Sequence, residues 1–300
     1  MTLEKPNRLA WMAFGVVCIV WGTTFLGIRI GVHYLPPLVF TMTRLTLAGT
    51  IFLLLNVRRI RWRLLTPKIL LLHLISGTML FSVGSGFVGM AEVHISGGLA
   101  AVIASMIPVW VICINLIVDK SERPNLTVVA GILTGLAGIF LIYGEHTGFN
   151  LLEHPGAIIL MFLAGLGWAG GSVWIRNYSA TMEATGAGGF QLLFGGLSLI
   201  PLSLATEDWS TVTYGSEVIV VISYMVLVGS VFTYFCYLYA LRRLPVTIIS
   251  TYAYINPIVA MVLGWMLLDE KLNTRIITGM IITLLGVFLV NKGFNQRSAK

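Results

Sequence analysis

The sequence predicts an all-α integral membrane protein with ten transmembrane helices, built as two inverted-topology five-helix repeats around a central cavity. Three observations predict it. Hydrophobic residues fill 57% of the 300 positions and charged residues 10%, and the mean hydropathy is +0.91, more apolar surface than a water-soluble domain of this length can bury. The apolar residues fall in runs that can cross a hydrocarbon core of ~30 Å at a helical rise of ~1.5 Å per residue, and they lack the period-two alternation of barrel strands. Part of the pattern is also written twice: "WGTTFLGIR" at 21–29 and "WAGGSVWIR" at 168–176 share their tryptophan, isoleucine and arginine at an offset of 147.

Polar and Pro/Gly breaks delimit the helices in order. The run 11–31 follows a polar N-terminus without a small-residue cleavage site, so it reads as an uncleaved signal anchor. A Pro36-Pro37 break precedes 38–57, which stops at an arginine cluster, and 69–90 begins after Thr66-Pro67. The runs 95–118 and 126–144 flank a charged break, and 155–177 closes on an arginine. The second half continues with 185–206, 216–240, 246–268 and 275–291.

With the N-terminus placed in the cytoplasm, fifteen of the 19 Lys and Arg residues lie on the inner side, while Arg29, Lys271 and Arg275 lie outside and Arg44 sits within helix 2. This positive-inside bias explains the net charge of +7 better than nucleic-acid binding does. It also fits an even helix count, with both termini cytoplasmic.

The repeat extends further. Residues 122–143 align without gaps on 270–291, matching at Glu122/Glu270, Asn125/Asn273, Gly131/Gly279, Leu136/Leu284, Gly138/Gly286, Phe140/Phe288 and Leu141/Leu289. Leu45/Leu192 and Gly49/Gly196 agree at 147, and Pro108 corresponds to Pro257 at 149. The reading is two halves, 1–148 and 149–300. Five helices is an odd number, so the second half enters the membrane from the opposite side. That architecture places a substrate site near the midplane, served by alternating access.

The Trp-Gly-x-x-Phe run with its basic residue, Arg44, "IPVWVICINLIVDKSERPN" and "INPIVAMVLGWMLLDEKLN" before Gly-rich closing helices resemble the paired EamA domains of the drug/metabolite transporter (DMT) superfamily. The resemblance covers essentially the whole chain. It implies a ten-helix fold with a central cavity, located in the cell inner membrane, that exports small metabolites, often amino acids or related compounds.

Candidate residues follow from depth and chemistry. Trp21 and Trp168 lie well inside helices 1 and 6, away from the interfacial belts. With Gln191, Tyr234, Tyr252, Tyr254 and Asn256 they are candidates for the cavity wall, although packing between helices explains the tryptophans equally simply. Arg29, Arg44 and Glu92 form a candidate outer gate or anion contact, against the alternative of an ion pair that only orients helices. Arg176 is the inner-gate candidate. Gln191 stands where the first half has Arg44, so the two gates are expected to use different contacts. Pro108 and Pro257 are expected to break helices 4 and 9 at matching points, freeing the carbonyls of Ala104 and Ala253.

Other signals exclude functions. "GSGFVG" at 84–89 matches a nucleotide-binding pattern but lies inside an apolar helix with no strand before it. Cys18, Cys113 and Cys236 all fall in apolar segments and read as free thiols. The sequons at Asn125 and Asn177 lie on the expected cytoplasmic side. No carboxylate sits at mid-depth, which disfavours antiport of cationic drugs against protons, and His73 reads as a packed histidine or a coupling group. No catalytic constellation, metal-ligand cluster or cofactor motif is present. The expectation is a transporter without metal or cofactor, monomeric or homodimeric, partnered by a metabolite and the lipid bilayer and not by nucleic acid. The alternative is a non-transporting membrane sensor or an intramembrane enzyme.

Overall fold

The computed structural model describes residues 7–95, 97–118, 124–143, 154–178, 184–268 and 274–298, and these are helical with no strand among them. The helices are α1 Arg8–Tyr34, α2 Pro37–Asn56, α3 Pro67–Glu92, α4 Gly97–Ala104, α5 Ile107–Val118, α6 Leu126–Tyr143, α7 Pro155–Tyr178, α8 Ala184–Leu197, α9 Ile200–Thr206, α10 Ser216–Leu241, α11 Val246–Ser250, α12 Tyr252–Leu268 and α13 Thr274–Ser298. Six spans among the described residues are long and apolar enough to cross a membrane, and Ile107–Val118, Leu126–Leu141, Val246–Val259 and Ile277–Val290 are shorter apolar helices. Large aliphatic side chains cover the outside, including Leu126 at 85% and Ile117 at 82% exposure. A surface of that kind is stable against lipid tails and not against water.

Local chemistry sets the helix starts. Asn7 caps α1 by accepting the amide of Ala10 at 2.8 Å, and Thr66 caps α3 with Pro67 at its first position. Glu207, after α9, caps α2 from the other half of the chain. Its carboxylate accepts the amides of Leu38 at 2.6 Å and Val39 at 3.0 Å, and the hydroxyl of Ser203 at 2.7 Å. A carboxylate there satisfies orphan donors and meets the positive end of the helix dipole.

The expected matching proline breaks are not what forms. The chain interrupts at Ser105–Met106, so Pro108 sits in the first turn of α5, where its missing N–H has no partner to lose. In the second half the interruption is at Thr251, and Pro257 lies inside α12. There it removes the N–H that would reach the Ala253 carbonyl. The two prolines align in sequence, but one follows a break and the other sits within a helix.

Two stretches wind as π-helix, Thr78–Gly86 within α3 and Met225–Phe232 within α10. They start at positions 147 apart. A π-turn widens the helix and is found mostly at functional sites.

Glycines set the closest helix contacts. α6 and α13 run antiparallel, with Arg275 Nε donating to the Leu141 carbonyl at 2.8 Å at one end and Asn125 Nδ2 to the Gly293 carbonyl at 2.7 Å at the other. Between those ends Gly131 faces Gly286 and Val290, and Gly138 faces Gly279 and Thr283. α2 and α8 repeat the arrangement, with Gly49 against Leu193 and Gly196 against Thr46. α1 packs against α10 and α12, and α7 against α3 and α5. Each of these pairings is matched by one displaced by about half the chain.

Candidate functional site

The aromatic residues of α1, α7, α10 and α12 meet in the middle of the bundle. Trp21 stands edge-on to Trp168, with ring centroids 5.1 Å apart, and to Tyr252 at 4.9 Å. Phe81 completes the wall with an edge contact to Tyr234 at 4.9 Å. Such edge-to-face pairs fix ring orientation as well as burying area. The wall borders a partly open cavity of about 100 Å³ that these residues line together with Arg44, Ser85, Ser230, Asn256 and smaller groups.

Each tryptophan reaches across to the π-helical stretch of the opposite half. The Trp21 indole N–H donates to the Gly229 carbonyl at 3.1 Å. The Trp168 ring lies over Gly84, where an added Cβ would stand 2.9 Å from Trp168 Cε3. Only glycine admits the ring there. Trp168 differs from Trp21 in its polar contact: its buried Nε1 makes no well-formed hydrogen bond, with the Tyr237 hydroxyl as the acceptor beside it.

Among the expected wall residues, Trp21, Trp168, Tyr234, Tyr252 and Asn256 line the cavity. With the Asn256 amide turned so that its nitrogen faces them, as its surrounding acceptors require, it donates to the carbonyls of Tyr252 at 3.1 Å and Cys18 at 3.0 Å. Gln191 stands one layer behind, accepting the Tyr234 hydroxyl at 2.5 Å. Tyr254 is not in the cavity. It is 0% exposed among Val128, Ile132, Ile248, Val287 and Val290, with its ring on Gly135. Two residues along a helix turn the side chain by ~200°, so Tyr252 and Tyr254 cannot face the same space. His73 stacks on Phe190 at 5.7 Å and is buried away from the cavity.

The expected charge cluster is present, with Glu92 within electrostatic reach of Arg29 and Arg44, but the arginines direct their hydrogen bonds elsewhere. Arg29 donates to the backbone carbonyls of Glu92 and Ile95, at the C-terminal end of α3. Arg176 donates in the same way to the Leu241 carbonyl, at the C-terminal end of α10. The repeated arginine thus clamps the last turn of the third long helix of its own half, where unpaired carbonyls and the negative dipole end favour a cation. Arg44 instead lines the cavity and donates to the Ser85 hydroxyl. The Glu92 side chain is fully buried and neither carboxylate oxygen has a hydrogen-bond partner. The arginines donate to carbonyl and hydroxyl oxygens instead, so their attraction to Glu92 acts across space without a hydrogen bond.

Ser85, Ser230 and their preceding glycines escaped the sequence reading. A signal for them exists: Val83-Gly84-Ser85 recurs as Val228-Gly229-Ser230 at an offset of 145. Among the described residues, no group of three His, Cys, Asp or Glu side chains is placed to hold a metal ion. The cysteines are free, Cys18 and Cys236 buried and Cys113 exposed.

The model of the EamA-like transporter family matches residues 9–144 and again 155–292. The chain belongs to the EamA-like transporter family. Known members of the DMT/EamA type are similar to it along nearly their whole length. The uncharacterized inner membrane transporter YedA of Escherichia coli (strain K12) is 31% identical over 277 residues, covering 92% of this chain and 88% of its own. The uncharacterized transporter YoaV of Bacillus subtilis (strain 168) is 23% identical over 285 residues, 94% of this chain and 96% of its own. Protein PecM of Dickeya dadantii (strain 3937) is 25% identical over 292 residues, with 94% and 92% covered. A solved crystal structure superposes with a TM-score of 0.80 over 96% of this chain and 98% of that one, at 18% identity, a likeness of fold alone. This EamA-family chain is a multi-pass membrane protein, and family and relatives point to transport and not to catalysis.

Proposed function

We propose that the protein exports small metabolites across the cell inner membrane, in the class of amino acids and related zwitterionic or anionic compounds, by alternating access. The observation that carries the reading is the aromatic-walled cavity where residues of the first and second parts of the chain meet, in a chain of a transporter family. Apolar walls with a few polar groups hold small amphiphiles. Among the described residues, that lining holds no acidic side chain, which argues against cationic drugs as cargo.

In this reading residues 1–148 and 149–300 are inverted repeats, ten transmembrane helices in all, with both termini in the cytoplasm. The antiparallel pairs α2/α8 and α6/α13 and the paired contacts of α1 and α7 support it, since an inverted repeat pairs equivalent helices head to tail. Access alternates as one half rocks against the other around the tryptophans. Flux of a panel of radiolabelled metabolites into proteoliposomes tests the proposal. Uptake of at least one compound above protein-free vesicles is expected, and a panel in which nothing moves overturns it.

A further inference from the structure

We infer that Arg44, Ser85 and Trp168 form a carboxylate subsite in the cavity, so that the ligand is a carboxylate with a compact apolar body. This rests on the cavity being the place where the transported ligand sits.

The argument is an inventory of donors. Arg44 is 6% exposed and lines the cavity. A guanidinium carries five N–H donors and no acceptor. One is given to Ser85, while the buried Nε has no partner. The indole N–H of Trp168, on the same cavity, makes no well-formed hydrogen bond and has only the Tyr237 hydroxyl beside it. An unmet buried donor is costly, and an unmet donor on a cation more so. Both nitrogens lie just under the cavity wall, the Arg44 Nε without an acceptor and the Trp168 indole with a poorly placed one.

The protein does hold an anion that could have served. Glu92 is buried near both arginines, and its oxygens accept nothing. Arg44 is turned to Ser85 and not to that carboxylate. Ser85, accepting from Arg44, still has its own O–H to give, and it stands in the π-helical stretch that carries Gly84 under the Trp168 ring. Arg44, Ser85 and Trp168, from α2, α3 and α7, therefore border one cavity whose lining, among the described residues, holds a single cation and no acid. A planar carboxylate has the lone pairs to accept from a guanidinium fork and from neighbouring O–H and N–H groups at once. The apolar remainder of the lining, with Phe25, Ile28, Met161 and Ala164, takes the body of the ligand.

The subsite is one-sided. Arg44 corresponds in the repeat to Gln191, which accepts from Tyr234 behind the wall. The cavity thus has one charged position and no charged counterpart across the repeat.

The test uses three probes of nearly equal shape, phenylacetate, phenylacetamide and benzylamine, titrated against the full-length protein in nanodiscs at neutral pH with quenching of tryptophan emission as the signal. Phenylacetate is expected to bind at least tenfold more tightly than its amide, with benzylamine weakest. Arg44→Gln is expected to erase the preference for acid over amide, Arg44→Lys to retain part of it, and Ser85→Ala and Trp168→Phe each to reduce it several-fold. Thermal unfolding of each variant establishes that it is folded. If Arg44→Gln does not fold, the acid-to-amide ratio in Ser85→Ala and Trp168→Phe carries the test. Equal affinity for acid and amide in the wild type, an unchanged ratio in the folded variants, or no binding of any probe overturns the subsite. Proteoliposome flux separates this from the transport reading. Undiminished phenylacetate flux in Arg44→Gln removes the subsite and leaves transport standing, whereas an intact acid preference in binding with no flux of any compound leaves the subsite and removes transport.

Discussion

The contact between α6 and α13 makes a strong stability prediction, because it can be calculated against an internal control. A Cβ added at Gly286 would lie 2.4 Å from the Gly135 nitrogen, 2.6 Å from the Gly131 oxygen and 2.6 Å from the Gly135 Cα. All three are backbone atoms, which no rotamer change can move, so the helices must separate by about 1 Å to reach ordinary contact distance. Overpacking of this kind costs ~1–3 kcal/mol, and the rigid partner argues for the upper end. Alanine returns up to ~1 kcal/mol of helix propensity relative to glycine. The net expectation for Gly286→Ala is a loss of about 2 kcal/mol. At Gly15, in the middle of α1, an added Cβ meets nothing within 4 Å. Gly15→Ala should therefore gain about 0.5–1 kcal/mol. The two variants differ by a single methyl group each, yet should lie about 3 kcal/mol apart, roughly a hundredfold in the unfolding equilibrium. Reversible unfolding in mixed detergent and SDS micelles, followed by far-UV circular dichroism, measures both. A Gly286→Ala protein as stable as the wild type, or as Gly15→Ala, would refute the reasoning.

Glu207→Ala should destabilise the same transition by ~1–2 kcal/mol, since it strips the carboxylate cap from the amides of Leu38 and Val39. Arg176→Gln should cost ~1–3 kcal/mol by releasing the last turn of α10, with Arg176→Lys falling between it and the wild type. Tyr234→Phe, which leaves the buried Gln191 carbonyl without its donor, should cost ~1–3 kcal/mol in that assay while far-UV dichroism stays unchanged. In detergent, a membrane-permeant maleimide should label Cys113, which is not covered by protein, well before Cys18 and Cys236, which should react only after unfolding, read as labelled equivalents by mass spectrometry.

Hydropathy made the helices legible, because a bilayer imposes one length and one polarity on every span. Boundaries expected near 69–90 and 216–240 became Pro67–Glu92 and Ser216–Leu241. The duplicated arginine was legible as a pattern and not as a contact. Its partners are backbone carbonyls of a distant helix end, and backbone atoms carry no sequence signature. Tyr254 was misplaced for a different reason: residue type alone nominated it, and helical phase sends it to the far side of α12. Glu207 was missed because a carboxylate just past an apolar run reads as an interface residue, and only the fold brings it to the start of α2. Ser85 and Ser230 were hidden by their ordinariness, since serine in an apolar helix usually satisfies itself on the preceding turn.

The seam between α6 and α13 has a mechanical consequence. Where Gly131, Gly135, Gly138 and Gly286 meet the opposite helix, backbone touches backbone, and the side chains of Leu289, Thr283 and Tyr254 press directly on the glycines. Repacking needs room for side chains to change rotamer, and this seam leaves them little. The two helices must then travel as a single strut. On the alternating-access reading proposed above, movement between the halves then falls to other contacts, such as α1 on α10 and α7 on α3, with this strut as the axle.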